Sequence, residues 1–360
     1  MDKDTFLTVK AFDSDLKGLG TKYKSINTYD IKSGEEKPVI TTNNYISHNG
    51  IASSKDWVVW IEVDTLEYDP SNKAFNWSMM AKNLNSEEKI EIDKSDFTSN
   101  NYNVPMFIEY IPIEPKISNN NILVYSKTVP NGNKIASVLV CYDLNTKTQK
   151  ILDRTEDVTE ELIHTECAIY DNIIAWSKFY QLNEYPYEKR FTQYVYGDVF
   201  TYDLNTEEIE QLTFDDFFYQ PDIYENKLVA VRVPENKENQ STYNSEIVLF
   251  DLKSKEFSTI VYENSPIYLK REDEMDRCRP TINKKYISWQ NGSFPNRYIY
   301  DHNKNRFLEI YENSEKYYRS PNIKDAMVST INLFEDYVMV RTQYWEKEDI
   351  IFGYELVELE

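Results

Sequence analysis

The sequence predicts an all-β protein built from repeated four-stranded antiparallel sheets, and three observations predict it. The pentapeptide YDLNT stands at 142–146 and again at 202–206, with weaker copies YDIKS (29–33), KNLNS (82–86), FDLKS (250–254) and YDHNK (300–304). Each copy separates two runs of alternating apolar residues, as in DVFTYDLNTEEIEQLTF (198–214) and SEIVLFDLKSKEFSTIVY (245–262). The chain of 360 residues also holds 29 Tyr and only 8 Gly, with aromatics at 14%, a composition that suits packed strand faces.

Within a repeat, the first strand is announced by a polar residue, often followed by proline, with isoleucine three places on: HNGI (48–51), EPKI (114–117), ECAI (166–169), QPDI (220–223), RPTI (279–282) and SPNI (320–323). Proline is tolerated at the start of a strand because no ladder partner needs its missing donor there. The second strand is an apolar run: WVVWIEV (57–63), NILVYSK (121–127), NIIAWSK (172–178), KLVAVRV (227–233), KYISWQN (285–291) and DYVMVRT (336–342). The third and fourth strands flank the pentapeptide, whose Asp followed by Asn, Ser or Thr is turn chemistry.

A four-stranded unit of about fifty residues cannot bury both faces alone, so such units stack face to face, and a ring of them is a β-propeller. The first-strand signature, at Ile51, Ile117, Ile169, Ile223, Ile282 and Ile323, favours six blades in one domain over 1–360. The hairpin at 22–42 runs into the first inner strand, and pairing it with strands in 318–344 closes the ring through the two termini. Two runs, TFLTVKA (5–11) and IIFGYELVE (350–358), stand outside that count. With a seventh hairpin signature near Tyr354, they leave open seven blades with incomplete terminal ones.

NIIAWSK followed by DVFTYDLNTEEIEQLT resembles the repeats of TolB-like β-propellers, in which an apolar-Ala-Trp-Ser strand precedes a Tyr-Asp-Leu-x-Thr turn and a closing Leu-Thr. The resemblance implies a bacterial, stand-alone propeller. It implies no single function, because propellers host many unrelated tasks.

Lysine and arginine number 40 against 61 aspartate and glutamate, for a net charge of −21. Such a surface repels phosphate backbones and anionic lipid heads, so neither nucleic acid nor a membrane surface is an expected partner. Cys141, Cys167 and Cys278 are too far apart for a zinc or iron–sulfur motif and read as thiols in a reducing compartment. The N-terminus MDKDTFLTVK has neither a basic start nor a long apolar run, so the chain reads as cytoplasmic as written. An export signal removed ahead of residue 1 would leave the same sequence. A phosphate-cradling Gly-rich loop, a Gly-x-Ser-x-Gly elbow and a His-Glu-x-x-His are all missing, and no cofactor or metal is expected.

Two places could carry a site. Aligning the first-strand isoleucines brings His48, Glu114, Glu166, Gln220, Arg279 and Ser320 into register. In a closed ring they would line one end of the channel, a rim able to hold a small polar ligand, a cation or a partner's side chain. Glu114 and Glu166, on adjacent blades, are the carboxylates an enzyme acting on polysaccharide would need. His164 lies near the same rim, and His302 reads as a solvated turn residue. The second place is the insertion FYQLNEYPYEKRFTQYVY (179–196), with Phe179, Tyr180, Tyr185, Tyr187, Phe191, Tyr194 and Tyr196. Beside the acidic links DRTEDVTEE (153–161) and REDEMD (271–276), it is an expected docking surface for a basic protein or peptide. A non-enzymatic scaffold is therefore the favoured reading, with an enzyme at the channel mouth as the alternative.

Overall fold

The computed structural model describes residues 5–11, 23–30, 33–63, 77–97, 112, 114–180, 196–214, 217–233, 245–260, 277–291, 294–295, 298–309, 327–333, 337–346 and 349–358. Every regular element within them is a strand. At the N-terminal end, β1 (Thr5–Ala11) pairs with β2 (Tyr23–Asp30), and β2 pairs with residues 36–46 of β3 (Glu36–Ser53). Beyond a register shift between Ile46 and Ile51, β3 pairs instead with β4 (Trp57–Val63). One long strand thus serves as the last strand of a terminal three-stranded sheet and the first strand of a complete repeat. β5 (Trp77–Asn83) and β6 (Lys89–Lys94) finish that repeat.

The second repeat is β7 (Lys116–Ile117), β8 (Ile122–Asn131), β9 (Lys134–Asp143) and β10 (Thr148–Arg154), paired in that order. The third is β11 (Glu161–Tyr170), β12 (Ile173–Tyr180), β13 (Tyr196–Asp203) and β14 (Glu208–Gln211). The fourth is β15 (Phe217–Tyr224), β16 (Lys227–Val233), β17 (Glu246–Asp251) and β18 (Glu256–Thr259). In the fifth, β19 (Arg277–Ile282) and β20 (Tyr286–Asn291) precede a two-residue β21 (Phe294–Pro295), then β22 (Tyr298–Asp301) and β23 (Arg306–Glu309). A three-stranded sheet ends the chain: β24 (Met327–Leu333), β25 (Tyr337–Glu346) and β26 (Asp349–Glu358). The chain divides into two compact units, Met1–Ile174 with Phe179–Glu184 and Tyr202–Glu207, and Ala175–Lys178 with Tyr185–Thr201 and Glu208–Glu360. The division passes through the third repeat.

The apolar second strands are buried on both faces, which is why they read as continuous runs rather than alternations. In β4, Val59 and Ile61 join a core with Trp77, Met79, Leu123, Tyr125 and Val138, between the first and second repeats. Val58 and Trp60 point the other way and pack with Ile26, Ile40 and Ile46 of the terminal sheet. In the second unit Val229, Val231 and Ile247 pack on Ile287, Trp289 and Tyr300 in the same manner.

The pentapeptide copies are hairpin turns, as expected. Asp143 Oδ1 accepts from the backbone N–H groups of Asn145 (2.8 Å) and Thr146 (3.3 Å), and Asp251 Oδ1 accepts from those of Lys253 (2.9 Å) and Ser254 (3.0 Å). Asn83 plays the same part for Asn85 and Ser86. Each turn then needs a left-handed residue before the fourth strand. With glycine scarce, Glu87, Lys147, Glu207, Lys255 and Asn305 take that conformation instead, at φ of 52 to 60°.

Two expectations are corrected here, and a third falls outside the described residues. TFLTVKA is not a leftover, because it adds to the outer edge of β2. Tyr354 stands in mid-strand opposite Arg341, not in a hairpin turn, and β26 pairs with β25 along its whole length. SPNI, and with it Ser320, lies outside the described residues. The strand that pairs with β25 is β24, whose register shift falls between Val328 and Thr330. Inner strands β15 and β19 also carry a register shift, between Tyr219 and Asp222 and between Cys278 and Thr281.

Gly50 occupies that shifted segment in β3. A Cβ built on it would lie 2.8 Å from Cβ of Ile61, an atom that cannot swing aside. Gly50→Ala is expected to cost about 1–3 kcal/mol by overpacking, read as a lowered urea midpoint; an unchanged midpoint would contradict the packing of β3 on β4.

Candidate functional site

Of the expected rim residues, His48, Glu166, Gln220 and Arg279 fall on inner strands and Glu114 stands two residues ahead of one, and these strands neighbour one another within each unit. In the first unit β7 lies against β3 and β11. His48 and His164 are backbone members of β3 and β11, and their side chains fall outside the description. Glu114 is half-buried, with φ of 51° immediately before Pro115. The charges of Glu114, Glu166 and Lys116 all act on one thiol: Cys167, 1% exposed, is pushed up to about 12 chiefly by burial. The Lys116 ammonium opposes that rise and the two glutamates add to it. A thiol held there stays protonated at neutral pH and is no nucleophile.

In the second unit β19 lies against β15 and β24. Gln220 and Arg279 have φ of 52° and 50°, each before a proline. A left-handed residue costs about 1–3 kcal/mol and persists only where its surroundings over-determine it. Here they do, since Gln220 Oε1 accepts the Arg279 backbone N–H at 2.8 Å, and Asp222 Oδ2 accepts that of Ile282 at 2.9 Å. Two side chains of β15 replace the ladder partners that the proline-interrupted β19 lacks.

The aromatic insertion divides less favourably. Phe179 is buried in β12 and belongs to the core rather than to a partner-facing surface. Tyr180 is half-buried at the end of that strand. Tyr185, Tyr187, Phe191 and Tyr194 lie outside the described residues, as does the side chain of Tyr196, the first residue of β13. The next residue, Gly197, pairs with Phe217 in parallel, tying the root of the insertion to the start of β15, three residues before Gln220.

His302 is not the solvated turn residue expected of it. Its Nδ1 takes a hydrogen bond from Lys227 Nζ (2.9 Å) and its Nε2–H donates to the Asn283 carbonyl (3.0 Å). Burial, ahead of the Lys227 charge, holds its pKa below the ordinary histidine value. It is a neutral bridge between the fourth and fifth repeats.

Sequence reasoning missed one charged cluster entirely. Between the first and second repeats, Lys127 Nζ meets Asp93 Oδ1 (2.9 Å) and Asp96 Oδ2 (2.7 Å). Tyr125 donates to Asp93 Oδ2 (2.6 Å), and the ammonium lies 5.8 Å from the centroid of the Trp77 ring. Burial, and then the Asp93 charge, pushes the Tyr125 hydroxyl well above its ordinary pKa, so it remains a donor. Among the described residues no group of three or more His, Cys, Asp or Glu stands together as a metal site.

No protein-family model and no curated protein matches the sequence. Solved structures do match the fold. The β-propeller domain of the Trilobed protease from Pyrococcus furiosus, described as having an open velcro topology, superposes with a TM-score of 0.58 at 11% identity, covering 98% of this chain and 91% of that one. The fold is a β-propeller. Acylaminoacyl peptidase of Pyrococcus horikoshii aligns with a TM-score of 0.56 at 12% identity over 97% of this chain, which spans only 50% of the peptidase. An oligogalacturonate lyase in complex with manganese aligns at 0.53 and 10% identity, over 100% of this chain and 87% of the lyase. TolB from Acinetobacter baumannii is also similar, at a TM-score of 0.38 and 11% identity over 79% of this chain and 58% of its own, too loose a superposition to single out that group of propellers. At these identities the likeness concerns the fold alone.

Proposed function

We propose that this propeller is a non-enzymatic scaffold that docks a protein or peptide of basic character on the end of the sheets where inner strands begin. The observation that carries this reading is the Gly197–Phe217 bridge, which roots the Tyr-rich insertion beside the strained starts of β15 and β19. The net charge of −21 favours a basic partner. The domain on this reading is the whole of 1–360. On the same reading its blades number seven, with three strands in each terminal one; the pairing of β24 and β26 with the two edges of β25 supports seven over six. Tyr185→Ala with Tyr187→Ala is expected to reduce recovery of native partners from a lysate by tenfold or more, on the order of an aromatic hot-spot loss. Unchanged recovery of every partner would defeat the assignment.

A second reading, an enzyme acting on a polysaccharide or small polar ligand, draws on the gathering of Glu114 and Glu166 about Cys167. Turnover of a glycan that disappears in Glu166→Gln would favour it over the scaffold.

A further inference from the structure

We infer that the junction between the fourth and fifth repeats is an acid-released latch, closed while the His302 ring is neutral and loosened when that ring takes up a proton. The third residue of each hairpin pentapeptide sends its backbone N–H to the carbonyl just ahead of the second strand: Leu84 to Asp56, Leu144 to Asn121, Leu204 to Asn172, Leu252 to Asn226 and His302 to Lys285. His302 therefore stands where four other repeats carry leucine. The second strands open on Trp57, Ile122, Ile173, Lys227 and Tyr286, and Lys227 pairs with Asp251 as Trp57 does with Asn83 and Ile122 with Asp143. Lys227 is the one charged residue at that position. Between the first and second repeats the corresponding pair, Trp57 and Leu144, belongs to one buried apolar core. Between the fourth and fifth, Lys227 and His302 are joined by a hydrogen bond instead.

An ammonium only donates and a carbonyl only accepts, so the bonds from Lys227 Nζ to Nδ1 (2.9 Å) and from Nε2–H to the Asn283 carbonyl (3.0 Å) require the neutral ring. A protonated ring carries N–H at both nitrogens. Nδ1 would then aim a donor and a positive charge at the ammonium, and the half-buried Lys227 has to swing away. The other charged groups at this corner do not prevent that. Asp301 favours the proton, but its Oδ1 already accepts from the backbone N–H groups of Asn303 (3.1 Å) and Lys304 (3.0 Å), and Lys304 Nζ lies 3.8 Å from its Oδ2. Asp251, opposite Lys227 in the ladder, is engaged in the same way by the N–H groups of Lys253 and Ser254. From the turn between β19 and β20 the ring meets a carbonyl, and the neighbouring Lys284 and Lys285 are themselves cationic. Burial, ahead of the Lys227 charge, lowers the folded-state pKa, so the opened junction takes up a proton before the closed one does. Closure is therefore complete above the ordinary histidine value and is lost as pH falls from that value towards the lowered one.

The test is amide hydrogen exchange of the full chain at about pH 7.5 and about pH 5.5, on either side of the ordinary histidine value, with rates normalised to those of the unstructured chain. Protection of β16 and of the β22–β23 hairpin is expected to fall at the lower pH, by up to about tenfold for each pH unit, the most that one proton can drive. Protection of β4 and β9, at the apolar junction of the first and second repeats, should hold. Lys227→Met with His302→Leu restores the apolar pair found elsewhere and should abolish the difference between the two junctions. Lys227→Met alone removes the opposed charge, so the His302 ring, followed in protein labelled with nitrogen-15 at histidine, should titrate at higher pH than in the parent chain. Equal acid sensitivity at both junctions, undiminished protection of β16 at the lower pH, a His302 ring that titrates at or above the ordinary value, or acid sensitivity retained in the double variant would overturn the inference. Partner recovery through Tyr185 and Tyr187 is read separately, so the docking proposal and the latch can fail independently.

Discussion

Lys127→Met is expected to lower stability by about 3–5 kcal/mol, the cost of leaving a buried charge without its partner. The Lys127 side chain is 7% exposed and that of Asp93 11%, whereas Asp96, at 48%, can turn to water once the ammonium is gone. Asp93 cannot turn away so easily, because Tyr125 donates to it from a fully buried position. The double variant Lys127→Met with Asp93→Leu should recover much of the loss, since a buried ion pair exchanged for packed apolar groups is often neutral. Chemical denaturation of the two variants measures this directly. A midpoint unmoved by Lys127→Met would mean that the cluster does not join the first and second repeats.

The other large effect is expected at Trp176. Its indole is fully buried in β12 and stacks on Phe200 of β13, with ring centroids 5.7 Å apart and planes inclined by 19°. Trp176→Ala removes the ring and leaves a cavity that rigid strands cannot collapse into, for a loss of about 3–5 kcal/mol. Trp176→Phe, which retains an aromatic face for Phe200, should lose less. Equal losses in the two variants would show that the stacking contributes nothing beyond bulk.

The strands were legible because two local codes agreed. Apolar runs such as WVVWIEV and KLVAVRV are the full extents of β4 and β16, and the Asp-led turns between third and fourth strands name their own hydrogen bonds. The last inner strand was misplaced for a related reason: SPNI carries the polar-Pro-x-Ile signature, whereas β24, MVSTINL, carries none. Proline marks only those strand starts where a ladder donor is missing, and β24 has no proline. Pairing between β25 and β26 depends on which edge is open, which no local pattern records.

Much less of the candidate site was legible. Alignment of the isoleucines gathered Glu114 with Glu166 and Gln220 with Arg279, but it could not foresee the left-handed backbone, because a residue before proline ordinarily favours extended conformations. Phe179 counted as a surface aromatic from its neighbours, although the strand alternation of IIAWSKFY turns it inward. Lys127 was invisible for a physical reason. A lysine in a strand reads as solvated until two carboxylates arrive from another repeat, and Asp93 and Asp96 lie more than thirty residues away in sequence.

The central claim is that the chain is a succession of four-stranded antiparallel sheets with a three-stranded sheet at each end. An electron-density map from crystals of the protein tests it most directly. The account predicts Tyr354 paired across from Arg341, Asp143 and Asp203 heading hairpin turns, and Gly197 running parallel beside Phe217. A helix in any repeat, or β2 and β3 hydrogen-bonded to β25 in place of β26, would contradict it.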